Sequence, residues 1–234
     1  MPQNSLSPRA TARLAGLVFA IGGLSAVFVE MFVRGRLVVG GDPARTAANI
    51  LASEGLYRVG GVIDVASLAT DVVLAVLLYR LLRPVSRDLA LLMGSLRMAF
   101  AVAEGLNTVN HFAPLYVLKS AAFAASFVPA QREALAMSFL RMHSTGFNIA
   151  LIFFGLHLVL LGAMMAASGY FPRLLGALVG LAGAAYLANS TVYLLGIVFP
   201  GSAYILTGAI GELALLLWLL AVGLDEKRWR LSAS

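Results

Sequence analysis

The side chains of this 234-residue chain that could do chemistry are few, and most of them sit inside apolar runs. They are Glu30, Asp64, Asp71, Glu104, Asn107, Asn110, His111, His143, Asn148, His157, Asn189 and Glu212. An ionised side chain at the centre of a membrane helix costs about 2.5–3.5 kcal/mol on insertion scales, so residues kept there face protein or water and serve a purpose. Spacing says which of them can act together. Asp64 and Asp71 are two helical turns apart on one face, about 10 Å along the axis. Glu104, Asn107, Thr108 and His111 follow the stripe of a single helix face. His143 and His157 share a face but lie about 21 Å apart, too far for one ion to bridge. Carboxylates and imidazoles so placed could hold a cation, a polar headgroup or a metal. The candidate ligand-binding residues are therefore Asp64, Glu104, Asn107, His111, His143, Asn148 and Glu212, with His111, His143, Asp64 and Glu104 as the candidate metal ligands. Asp71 and His157 form a separate candidate, a buried polar pair joining the second and fourth spans.

Each candidate has a plainer reading. Glu30 precedes Arg34 by four residues, the favourable order for a helical ion pair at the interface. Asn148 and Asn189 suit interhelical hydrogen bonds, and His143 suits the headgroup region. Asp64 and Glu104 have no basic partner within four residues on their own helices, which makes a functional role harder to set aside. No HExxH, Walker A or GxSxG motif is present, and the sequence names no cofactor.

Composition fixes what must position these residues. Hydrophobic residues make up 60% and charged residues 12% of the chain, with a mean hydropathy of +0.90. A soluble domain carries about a quarter charged residues, so the chain reads as an all-α polytopic membrane protein. The absence of cysteine excludes thiol catalysis, disulfides and thiolate metal sites. A net charge of +6 and a pI near 10.1 would suggest nucleic acid in a soluble chain. Here 15 of the 17 basic residues are Arg scattered over the loops, which predicts lipid-facing anchors and no nucleic-acid partner.

A bilayer core needs roughly 20 apolar residues per helix. Windows of that kind predict a six-helix bundle forming one domain over 1–234, with spans at about 14–33, 59–82, 89–112, 145–167, 174–198 and 203–224. The first span follows a polar leader, lacks a small-residue cleavage site, and is expected to stay in the mature protein. Asp42 as N-cap and Pro43 at the first helical position predict a short helix over Ala44 to Ser53 after the first span, lying at the interface or as a surface connector. Pro129 predicts the start of a helix running through Glu133 into the fourth span. Glycine-rich stretches such as GALVGLAGA read as close helix packing.

Ten basic residues fall on the side shared by both termini: Arg9, Arg13, Arg80, Arg83, Arg87, Arg97, Arg173, Lys227, Arg228 and Arg230. Seven fall on the other: Arg34, Arg36, Arg45, Arg58, Lys119, Arg132 and Arg141. The positive-inside bias predicts cytoplasmic termini. It places most candidate residues in the outer half of the bundle, with Asp71 and His157 just inside the midplane.

The segments FVRGRLVVGGDPARTAANILASEGLYRVG, TDVVLAVLLYRLLRPVSRDLALL, FFGLHLVLLG, SGYFPRLLG and GELALLLWLL resemble a bacterial family of integral membrane proteins, domain of unknown function 4386. The resemblance covers roughly residues 10 to 224 and includes Asp71, His157 and Glu212. It implies membrane class and span count but no activity. The expected partner is the lipid bilayer, with a small molecule, lipid headgroup or ion as ligand of an outer polar cavity. The alternative is an intramembrane metal-dependent hydrolase using His and carboxylate ligands. Haem held between His111 and His143, or a purely structural role, completes the set.

Overall fold

The computed structural model describes residues 6–197 and 203–233, with side chains of the second stretch from Gly208 onward. The described residues are helical, with no strand among them. The helices are α1 (Pro8–Phe28), α2 (Gly35–Leu37), α3 (Pro43–Ala52), α4 (Glu54–Leu82), α5 (Arg87–Asn107), α6 (Val109–Lys119), α7 (Ala121–Ser126), α8 (Pro129–Ser168), α9 (Arg173–Leu194), α10 (Ala203–Ala221) and α11 (Glu226–Ser232). A π-helical segment, Val29–Arg34, follows α1 directly.

Five stretches are long and apolar enough to cross a bilayer: Pro8–Leu37, Glu54–Leu82, Arg87–Lys119, Pro129–Ser168 and Arg173–Leu194. The sixth apolar window folds as α10, and the chain then bends by 98° into α11. The end of the fifth window, residue 198, lies outside the described residues. Large apolar side chains such as Leu24, Leu106 and Leu174 are 70%, 73% and 72% exposed, a surface that a water-soluble monomer does not sustain and a lipid-facing one does.

Local sequence explains the element ends. Asp42 accepts a hydrogen bond from the backbone N–H of Arg45 at 2.9 Å, and Pro43 opens α3, so the predicted short helix exists at Pro43–Ala52. Pro129 opens α8, which continues without a break to Ser168. Pro114 sits inside α6 rather than ending it.

The chain forms two compact units. The first comprises residues 1–21, 70–101 and 148–234. Its core contains Ala12, Phe19, Leu78, Met93, Leu158, Met165 and Leu219. Within it, α8 and α9 meet backbone to backbone. A Cβ at Gly162 would stand 2.4 Å from the carbonyl oxygen of Gly176, and one at Gly183 would stand 2.6 Å from that of Gly155. Both pairs are symmetric about Gly169, whose φ of +72° turns the chain between the two helices. The tail is tied into the same unit, because the Trp229 Nε1–H and the Tyr170 hydroxyl both donate to the Leu81 carbonyl at 2.8 Å.

The second unit comprises residues 22–69 and 102–147. Its core is smaller: Val29, Val33, Leu37, Ile50, Tyr57, Leu115, Met137 and Leu140.

Candidate functional site

In the first unit, Asp71 and His157 are both hydrogen-bonded, but not to each other. Arg97 stands between them. Its Nη2 donates to Asp71 Oδ1 at 2.6 Å and its Nη1 to His157 Nε2 at 3.1 Å. The His157 Nδ1–H donates to the Met93 carbonyl at 2.9 Å, because a carbonyl can only accept. That fixes the tautomer and leaves Nε2 as the acceptor that Arg97 uses. The guanidinium also lies 5.7 Å from the centroid of Phe19 and 5.3 Å from that of Phe154. The direct Asp71–His157 contact expected from sequence is therefore replaced by a three-residue assembly. Arg97 is not an anchor at the membrane surface: it is 4% exposed and ion-paired. Removing it from the basic count leaves nine residues against seven.

Elsewhere in this unit the Tyr186 hydroxyl donates to Glu212 at 2.5 Å, and the Asn189 side chain donates to Asn148 Oδ1 at 3.4 Å. Glu212 and Asn148 thus belong to the first unit, and the other cavity candidates to the second.

The second unit gathers Glu30, Arg34, Tyr57, Asp64, Glu104, Asn107, His111 and His143. Arg34 belongs to the π-helical turn, closed by the Gly35 N–H donating five residues back to the Glu30 carbonyl. The inserted residue turns the Arg34 side chain so that Nε reaches Glu30 Oε2 and Nη1 reaches Asp64 Oδ2, both at 2.7 Å. Asp64 is thereby neutralised from another helix. His111 is tied to Tyr57 twice. Its Nε2–H donates to the Tyr57 carbonyl at 3.0 Å, and the Tyr57 hydroxyl donates to the His111 carbonyl at 2.5 Å. The two rings stack with centroids 4.2 Å apart. The buried His111 Nδ1 has no hydrogen-bond partner among the described residues.

Glu104, Asn107 and His143 form the remaining cluster, all buried. The Asn107 amide nitrogen lies 3.1 Å from Glu104 Oε2, 2.9 Å from the His143 carbonyl and 3.2 Å from His143 Nδ1. An amide nitrogen carries two hydrogens, so three acceptors cannot all be served. His143 Nδ1 can instead carry its own hydrogen and donate to the Asn107 carbonyl at 3.4 Å. His143 Nε2 then presents a bare lone pair to Glu104 Oε1, 4.0 Å away. In this tautomer the two amide hydrogens serve Glu104 and the His143 carbonyl, and no hydrogen stands between Glu104 Oε1 and the His143 Nε2 lone pair. Backbone contact holds this arrangement closed, because a Cβ at Gly146 would stand 2.1 Å from Asn107 Oδ1.

His111 and His143 are neighbours, with ring centroids 6.1 Å apart. They do not form a metal centre with the carboxylates, since no three His, Asp or Glu side chains converge as ligands among the described residues. His111 Nε2 is already committed to Tyr57, so this imidazole could meet a metal only through Nδ1.

Sequence reasoning missed Arg97 as a site residue and missed Arg34 as the partner of Asp64. A signal for the first exists. Pro84 sits at the turn between α4 and α5, and Asp71 and Arg97 are each thirteen residues from it. An antiparallel helical hairpin sets such residues level with one another. The same register sets Tyr57 level with His111, which are in contact, and Asp64 level with Glu104.

An archaeal relative from Archaeoglobus fulgidus, described as an uncharacterized protein, is 29% identical over 170 residues, covering 72% of this chain and 85% of its own. No solved structure matches the chain. A family model, domain of unknown function DUF4386, matches residues 14–223, and the chain belongs to that family.

Proposed function

We propose that the protein is a six-span protein of the inner membrane, with both termini cytoplasmic, whose second-unit cluster of Glu104, Asn107 and His143 binds a small cation, in the simplest case a proton. The observation that carries this reading is the buried Glu104 carboxylate facing His143 Nε2 at 4.0 Å. Asp64 and Asp71 each have an arginine, whereas Glu104 has, among the described residues, one N–H of Asn107 and a histidine nitrogen beyond hydrogen-bond reach. A carboxylate inside a membrane bundle without a cation is costly, and such residues mark ion and proton pathways. A proton or small cation between Glu104 Oε1 and His143 Nε2 satisfies both groups and frees the Asn107 amide for its two best acceptors.

Infrared difference spectra of the purified protein, recorded through a pH titration and again through a sodium titration, test this. A protonated-carboxyl band that titrates in the wild type and is absent in Glu104→Gln supports a proton. A carboxylate shift driven by sodium at fixed pH, also absent in the variant, supports a metal cation. The same spectra in wild type and Glu104→Gln would overturn the reading. Glu30→Gln serves as the control, because Glu30 is 69% exposed in its side chain and already paired with Arg34.

A further inference from the structure

A groove of about 210 Å³ opens in the second unit between α3, the end of α6 and the start of α8. Ala44, Ala47, Leu51 and Leu118 give it an apolar wall, and Arg132 and Glu133 bring opposite charges to one edge. Both charged groups have capacity to spare. Arg132 donates from Nη1 to the Leu118 carbonyl at 3.3 Å, which positions the guanidinium, while its Nη2 has no acceptor among the described residues. Glu133 makes no hydrogen bond or ion pair among the described residues.

The depth of the groove follows from its neighbours. Tyr116, Phe123 and Phe127 form a chain of ring contacts at 5.7 and 5.5 Å along α6 and α7, and Tyr116 and Phe127 are exposed. Exposed aromatics at the end of apolar helices belong at the headgroup level of a bilayer. Lys119, Glu54 and Arg58 are ion-paired in the same unit, as expected of a segment clear of the hydrocarbon.

We propose that this groove is a headgroup site for a zwitterionic phospholipid with a primary ammonium, its phosphate on Arg132 and its ammonium on Glu133. A guanidinium edge matches phosphate oxygens, and an ammonium offers hydrogens to the carboxylate that a quaternary amine lacks. An anionic lipid without the ammonium leaves Glu133 facing like charge. The site is separate from the Glu104 cluster and stands or falls independently of it.

Native mass spectrometry of the delipidated full chain in detergent, supplied in turn with phosphatidylethanolamine, phosphatidylcholine and phosphatidylglycerol of one acyl composition, reads the preference. The expected result is retention of phosphatidylethanolamine over both others. Glu133→Gln should lower it about tenfold, the worth of one charge-assisted hydrogen bond. Arg132→Gln should do the same. Glu133 has no partner among the described residues, so its variant keeps the test valid if Arg132→Gln fails to fold, and Arg141→Gln, outside the groove, should leave retention unchanged. Equal retention of the three lipids, or an unaltered preference in Glu133→Gln, would overturn the proposal. So would full competition by free O-phosphoethanolamine, which would assign the groove to a soluble zwitterion.

Discussion

Asp71 and Arg97 meet at 2.6 Å from positions thirteen residues before and after Pro84, so the turn of one helical hairpin brings opposite charges level inside the first unit. Arg97 is buried and Asp71 half-buried, and each would be costly alone. Arg97→Met is therefore expected to destabilise the protein by about 3–5 kcal/mol, the usual cost of leaving one buried charge unpaired. Replacing both residues, as Asp71→Leu with Arg97→Met, should recover part of that loss. His157→Phe should cost less than Arg97→Met, since Arg97 keeps its carboxylate. Thermal melts in detergent decide it: additive losses in the Asp71 and Arg97 variants would show that the two residues do not depend on each other.

The membrane class, the positions of five spans, the Asp42 cap and the start of α8 at Pro129 were all legible in the sequence. Apolar length and capping chemistry are local signals, readable one segment at a time. The partners of the polar residues were not, because pairing depends on hairpin register and on helix irregularity. Arg97 read as a surface anchor while its depth was judged from loop charge alone. Arg34 read as a local partner of Glu30, since nothing in VEMFVR announces the π-turn that carries it to Asp64.

The α8–α9 contact gives a contrast between glycines of one seam. Gly162→Ala puts a methyl group 2.4 Å from the Gly176 carbonyl oxygen, where only backbone can yield. Gly180→Ala adds the same methyl group where nothing lies within 4 Å. The first change should cost about 1–3 kcal/mol through overpacking, and the second should be neutral or slightly stabilising. Melting temperatures that fall equally for both would show that the helices are not in backbone contact.

Tyr57 and His111 close a reciprocal lock in the second unit, each side chain donating to the other residue's carbonyl. Tyr57→Phe keeps the stacked ring and removes one donor from the buried His111 carbonyl, which keeps its place in the helix ladder. A loss of about 0.5–1.5 kcal/mol follows from that one hydrogen bond. His111→Ala removes the other hydrogen bond and the stacking together, and should cost more. Equal stability of wild type and Tyr57→Phe in chemical denaturation would mean that the hydroxyl bond contributes nothing net.

Span count and orientation can be tested together, because the two are linked by parity. An even number of crossings puts both termini on one side of the membrane, and an odd number puts them on opposite sides. Five stretches pass as spans by length and composition, and α10 with its 98° bend into α11 decides whether a sixth crossing is made. With Arg97 buried in an ion pair, nine basic residues remain on the side assigned to the cytoplasm against seven outside, which still favours cytoplasmic termini. Reporters active only outside the cytoplasm, fused in turn to each end, should therefore both stay silent. Activity at the C-terminus alone would reduce the count to an odd number. Activity at both ends would keep six spans, reverse the orientation, and place Glu104 and His143 on the cytoplasmic half of the bundle.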